Sequence, residues 1–168
     1  MAFSLRNKLT IPRASRYANP AEPGTILPVV LGDFSAGGRT GPLPSVLIDT
    51  AAAVYCAAVH AVGSIAEVWV GETQKTIGVD VTVSTSNNYE TQGNIATLDF
   101  TSIQTAPVTW RGTGVQSGGS TITNPAGQIE HLLKTYLSGF VAADFDTAAL
   151  ERVRAICSAR SYATAWVI

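Results

Sequence analysis

Charge is what this sequence holds least of. Asp, Glu, Lys and Arg make up 14% of its 168 residues, against about a quarter in an average soluble domain. The formal net charge is -1, so the basic stripe that a specific nucleic-acid binder needs is missing. One basic cluster exists, Arg6, Lys8, Arg13 and Arg16. Pro12 interrupts it, and it reads as a solvated or partner-bound arm. Cysteine is scarce too. Cys56 and Cys157 stand far apart, each in an apolar run, which favours buried free thiols over a disulfide. The N-terminus lacks the continuous apolar core of a signal peptide. No stretch approaches the ~18 uncharged apolar residues of a membrane span. These absences predict a chain made and folded in the cytoplasm.

The vocabulary of catalysis is equally thin. His60 and His131 are the only histidines, and neither has a third ligand at metal spacing. His60 sits among apolar residues and reads as a satisfied core or edge residue. His131 falls off the apolar stripe of its helix and reads as solvated. No G-x-S-x-G occurs, and "GGRTG" has neither the spacing nor the lysine of a phosphate loop. In "ADFDT", Asp146 is explained as a helix cap. Asp33 and Asp49 flank a glycine-rich loop and, with His60, form the one set from which a hydrolase could be built. Turn chemistry explains Asp33 as well. The expectation is no enzyme, with no catalytic, cofactor-binding or metal-binding residue assigned and no cofactor.

What is present is apolar: 46% of the residues are hydrophobic. A neutral, apolar chain has little solvated surface to offer, so much of it is expected to face other subunits. Residues 1–25, punctuated by Pro12, Pro20, Pro23 and Gly24, read as an extended arm that gains nothing by folding alone and lies across an adjacent subunit. "TILPVVLGDF" opens the ordered part, and "SAGGRTGPLP" reads as a loop. "SVLIDTAAAVYCAAVHAVGSIAEVWVGE" is the expected core, with strands at 46–48, 53–59 and 65–70. "VDVTVST" alternates strictly, with Val79, Val81 and Val83 on one face. "SNNYETQGN" reads as a loop, "IATLDFT" and "PVTWRG" as strands, and "SGGST" as a hinge.

A helix signal then appears in "NPAGQIEHLLKTYLSG". Asn124 suits the N-cap and Pro125 the first turn. Ile129, Leu132, Leu133, Tyr136 and Leu137 form one apolar stripe, and Gly139 suits the stop. Asp146 can cap a second helix with Leu150, Val153 and Cys157 on one side. The apolar ending "YATAWVI" is expected to pair as a strand. The predicted class is α+β: a mainly antiparallel, sheet or barrel-like module with a helix pair near the C-terminus. Its divisions are an arm at 1–25, a β-rich domain at 26–123, a helix pair packed on it at 124–160, and a terminal strand at 161–168.

The order of these pieces resembles the tail hub and baseplate proteins of long-tailed bacteriophages. The resemblance is carried by "LPVVLGDF…GPLPSVLIDT", then "VYCAAVHAV", "IAEVWVGE" and a strand ending "VTWRG". "NPAGQIEHLLKTYLSG" and "ADFDTAALERV" follow, so it covers residues 26–160. Hub proteins of this kind continue well beyond the helix pair, so the chain is either a fragment or a compact relative. The resemblance implies a structural role in the virion tail, as a hub, baseplate or tail-tip subunit. It implies other tail proteins as partners and a homo-oligomeric ring of three- or six-fold symmetry, and it transfers no catalytic residues. The alternative is a receptor- or glycan-binding β domain, for which Trp69, Trp110 and Trp166 and the loops "SAGGRTG" and "TSNNYETQGN" would serve. Each Trp lies within a strand-like run, which favours core packing.

Overall fold

The computed structural model describes residues 27–35, 42–89, 93–137 and 140–168. The 1–25 arm, most of the glycine-rich loop and Gly139 lie outside the described residues. The strands are β1 (Val30–Leu31), β2 (Leu43–Pro44), β3 (Val46–Asp49), β4 (Val54–Ala58), β5 (Ser64–Val70) and β6 (Thr73–Lys75). They continue with β7 (Val81–Tyr89), β8 (Gly93–Phe100), β9 (Val108–Thr113), β10 (Gln116–Ser117) and β11 (Ser120–Thr121). Helix α1 (Pro125–Tyr136), a 3-10 turn at Ala142–Asp144, helix α2 (Thr147–Ala159) and β12 (Trp166–Val167) complete the order. The fold is mainly antiparallel β with two helices near the C-terminus, as the α+β expectation holds.

The β module is two sheets rather than a closed barrel. One runs β2-β9-β5-β6 and the other β3-β4-β8-β7. Both feed a single core that includes Leu47, Tyr55 and Leu98 from one sheet and Val68, Val108 and Trp110 from the other. Residue choice follows burial. All five residues of β4 are buried, so an Ala-rich stretch becomes a strand because its flanks are covered on both faces. In β9 every second residue, Val108, Trp110 and Gly112, is buried, the period of two that aims one face inward. In β5 the buried Ile65 and Val68 are three apart. A register shift between Ile65 and Glu67 supplies the extra residue, as a β-bulge does. The Tyr55 ring meets Phe100 edge-on at 5.5 Å, and its hydroxyl accepts the Gln104 N–H at 2.9 Å.

Three local expectations change. "SNNYETQGN" is not simply a loop: β7 runs through Asn88 and Tyr89, and Tyr89 is registered with Gly93. β7 is an edge strand, where polar residues can stay in the ladder because one face is solvated. The alternation in "VDVTVST" starts late, since Val79 precedes β7 and is 79% exposed. "SGGST" is a hairpin turn rather than a hinge. Gly118 and Gly119 have φ of 59° and 80° between the registered Ser117 and Ser120, the paired positive angles of a tight type I′ turn.

Strand β12 pairs with β1, Val30 against Val167 and Leu31 against Trp166, so the apolar ending is paired within the chain. On its other side β1 bonds the end of β9 and the residues after it: Gly114 N donates to Gly32 O at 2.8 Å, and Val115 N to Val30 O at 3.0 Å. Both cysteines are buried and free. Burial pushes the Cys56 thiol up to about 12, which makes it inert rather than reactive.

Gly32 makes this junction possible. Its φ is 101°, and a Cβ there would lie 2.4 Å from the Thr164 carbonyl oxygen and 2.6 Å from Ala165 Cα. Gly32→Ala therefore combines left-handed strain with a backbone clash. It is expected to destabilise the chain by roughly 1–3 kcal/mol or more, read as a lower thermal or urea midpoint. An unchanged midpoint would show that β12 is not docked as described.

Candidate functional site

The helix pair is built from side chains that bond backbone. Asn124 caps α1, its Oδ1 accepting from Ala126 N at 3.1 Å, with Pro125 in the first turn as expected. Its Nδ2 donates to the Arg154 carbonyl on α2 at 3.2 Å. Asp146 caps α2 by accepting from Ala149 N at 2.9 Å. Glu130 pairs with Lys134 within α1 and with Arg154 across to α2, and Arg154 also pairs with Glu151 within α2. The Lys134 hydrogen bond, helped by the Arg154 charge, holds the Glu130 carboxyl below the usual carboxylate range.

The apolar stripe of α1 is only partly covered. Helix α1 buries Ala126 and Gln128, and Gln128 is 0% exposed. Its Nε2 donates to Ile122 O and Thr164 O, both at 2.7 Å. Its Oε1 accepts from Thr164 Oγ1 at 2.5 Å. Beside it Thr164 N donates to Thr123 O at 3.0 Å. One amide thus clamps the helix to the strand leading in and the strand leading out. At ~100° per residue, Ile129, Leu133 and Tyr136 fall roughly half a turn from Gly127 and His131. Of the stripe, Ile129 and Tyr136 stand 47% and 41% exposed, while Leu132 and Leu133 are partly covered. On α2, Val153 and Ile156 are likewise 47% and 54% exposed. Tyr162, Trp166, Val167 and Ile168 of the C-terminal segment are exposed as well. Apolar side chains this accessible, gathered in one part of the chain, mark a contact surface.

The opposite side of α1 faces a cleft of about 470 Å³ beneath the β10–β11 hairpin, lined by Ser120, Thr121, Asn124, Glu130, His131 and Lys134 among others. Its Lys134 and Arg154 are already engaged by Glu130. His131 corrects the expectation of a solvated side chain. Its Nε2 is buried without a hydrogen-bond partner, its ring meets Tyr136 edge-on at 6.2 Å, and desolvation lowers its pKa.

The hydrolase set is not assembled by hydrogen bonding. Asp33 accepts from Ser35 N at 2.8 Å and from Ser35 Oγ, and these bonds lower its pKa. This is the turn chemistry anticipated for it. Asp49 accepts from Ala51 N, Ala52 N and the Tyr89 hydroxyl. These contacts, the Ala52 bond foremost, lower its pKa. His60 is satisfied at both nitrogens: Nε2 accepts from Val30 N at 2.9 Å, and Nδ1 faces Ala61 O at 2.8 Å. Of the tryptophans, Trp110 is fully buried, Trp69 donates to Glu67 at 3.3 Å, and Trp166 is 40% exposed. Among the described residues no group of three or more His, Cys, Asp or Glu could hold a metal, and no helix is long and apolar enough to cross a membrane.

Sequence reasoning missed Gln128 and Thr164. The available signal was the threonine-rich neighbourhood, "STITN" before the helix and "YAT" after it, which supplies backbone and hydroxyl partners for a helix amide. No protein-family model matches the sequence, and comparison with curated proteins and with solved structures gave no match.

Two outcomes follow from this geometry. Gln128→Leu keeps the volume but strands the Ile122 and Thr164 carbonyls. Both bonds are part-buried, so at about 0.5–1.5 kcal/mol for each lost hydrogen bond the loss should be roughly 1–3 kcal/mol, seen as a lower unfolding midpoint. The second concerns pH. Desolvation, foremost, lowers the folded pKa of His60, and a proton on Nε2 would turn the acceptor of Val30 N–H into a donor. The unfolded histidine titrates near ~6.5. Between that value and the lower folded one, the unfolded chain holds the extra proton. The contribution is therefore complete above about pH 6.5 and is lost as pH falls through the window. His131 acts in the same direction. The urea midpoint should drop between pH 7.5 and 5.5, and a flat or rising midpoint would contradict the assignment.

Proposed function

We propose that the chain is a structural subunit of a bacteriophage virion tail, in a hub, baseplate or tail-tip ring, and acts through subunit contacts rather than catalysis. The observation that carries this reading is the outward apolar stripe of the helix pair, continued by Tyr162 and Trp166–Ile168. A subunit in an assembly covers such a surface. The low charge content supports it, because little of the chain is built to be solvated. The ordered resemblance over residues 26–160 supplies the virion context and a three- or six-fold ring, since closed symmetry is the usual route to a finite assembly. The partners are further copies and other tail proteins, with no specific nucleic acid.

The glycan-binding reading loses one of its three tryptophans, because Trp110 is wholly buried and presents no stacking face. A hydrolase would need Asp33, Asp49 and His60 free to act together, whereas each is held by its own partners.

Native mass spectrometry of the purified chain, with immunogold labelling of tail particles, tests the proposal. The expected result is a discrete closed oligomer and label at one level of the tail. A strict monomer at all concentrations that joins no particle would sink it.

A further inference from the structure

We propose that His60 and His131 form an acid-operated latch: when both carry a proton, the β1–β12 ladder parts and the helix pair moves off the β module, while the two four-stranded sheets stay folded. The proposal goes beyond the subunit reading and does not depend on it.

The latch sits where the C-terminal unit meets the sheets. Among the described residues, every hydrogen bond made by α1, α2 and the turn between them ends within residues 122–164. Hydrogen bonds join this unit to the β module at two places: Ile122 N donates to Val115 O at 3.1 Å, and β12 pairs with β1. β1 is in turn fastened to the β4–β5 loop. Val59 N donates to Pro28 O at 2.9 Å, and Val30 N donates to His60 Nε2 at 2.9 Å. Nδ1 of His60 lies 2.8 Å from the Ala61 carbonyl oxygen, so the proton of the neutral ring belongs on Nδ1 and Nε2 is the acceptor. A second proton has only Nε2 to go to. It sets an N–H against the Val30 N–H, and Val30 loses its bond on that side. The next residue back, Val29, makes the two bonds to Ile168, at 3.0 and 3.1 Å, that close the ladder.

His131 is the second half. It stands on α1, near enough for its charge to act on His60, and its Nε2 is buried without a partner. Two imidazolium rings across this junction repel, one on each side of the seam that must part. Among the described residues no carboxylate acts on either ring. Glu130, Lys134 and Arg154, which line the cleft with His131, are engaged with one another, and Asp33 beside β1 bonds Ser35. Burial disfavours both charged rings in the closed form, whereas the open form lets them titrate near the ordinary ~6.5. Above that pH both forms are neutral and the latch is closed. Below it the open form takes up the protons, and opening rises by up to about tenfold per pH unit for each histidine.

Hydrogen exchange of the full chain, read by mass spectrometry between pH 7.5 and 5 as protection factors, tests the latch. Segments 28–31 and 161–168 should lose protection about tenfold or more below pH 6, while segments 64–70 and 108–113 keep theirs. His60→Gln retains an oxygen to accept from Val30 and does not titrate, so its loss of protection should be severalfold smaller. His131→Phe should reduce the loss as well. Equal loss in all four segments would mean global unfolding and would overturn the latch, as would an unchanged pH profile in both variants. A wild-type readout keeps the test decisive if a variant does not fold. The histidine resonances, followed by NMR, should titrate over the same pH range in which 161–168 loses protection, and titration in a different range would overturn the proposal.

Discussion

One buried amide decides which way the helix pair faces. Gln128 is fully enclosed and bonds Ile122 and Thr164, which ties α1 at once to the end of the β module and to the segment entering β12. A helix normally docks by its apolar side, because burying a Leu- or Ile-sized side chain gains about 1.5–3 kcal/mol. Here a polar amide shares the docking with Ala126, and Ile129, Tyr136 and Leu137 of the stripe remain exposed. Each half-exposed side chain then forgoes about 1 kcal/mol of burial on that scale. Six of them hold in reserve about 6 kcal/mol, near the lower end of the ~4–15 kcal/mol that association costs in lost freedom. The stripe alone would give weak association. Several contacts per subunit, as a ring would supply, would give a firm one.

The rest of the fold serves as a platform for that orientation. β1 is held between β12 and the residues after β9, and Gly32 allows the close passage of Thr164 and Ala165. The two sheets share one core filled by Trp110, Tyr55 and Leu98. The helices are fastened to this platform by the amide, and to each other by the Asn124 bridge and the Glu130–Arg154 pair. The ion pair sits near the surface, with the Arg154 side chain 33% exposed. Exposed ion pairs contribute little, typically under ~1 kcal/mol, which leaves Gln128 as the dominant fastening.

Much of the architecture was legible in the residues. "PVTWRG" and "VYCAAVHAV" were readable as strands where β9 and β4 stand, and Asn124 with Pro125 placed the start of α1 to the residue. Asp146 was readable as a cap because Asp at that spacing has few other uses. Elsewhere the reading failed where tertiary partners outweigh local chemistry. Asn87, Asn88 and Tyr89 look like loop residues, yet pairing with β8 keeps them in an edge strand. "SGGST" looks flexible, yet two consecutive glycines are what a tight hairpin demands. The stripe of α1 was correctly identified, but its direction was not legible. Periodicity reports that a helix has two faces and says nothing about which one meets the body. That choice was made by Gln128, a residue type with no periodic signal.

The account stands or falls on the stripe being open in the free chain and closed in the assembly. Carbene footprinting of the dilute chain and of assembled particles measures this residue by residue. Ile129, Tyr136, Ile156 and Trp166 should label strongly in the free chain and become protected on assembly, while the polar edge strand β7 keeps the same labelling in both. Equal labelling of the stripe in the two states, or protection confined to β7 and β8, would contradict the central claim.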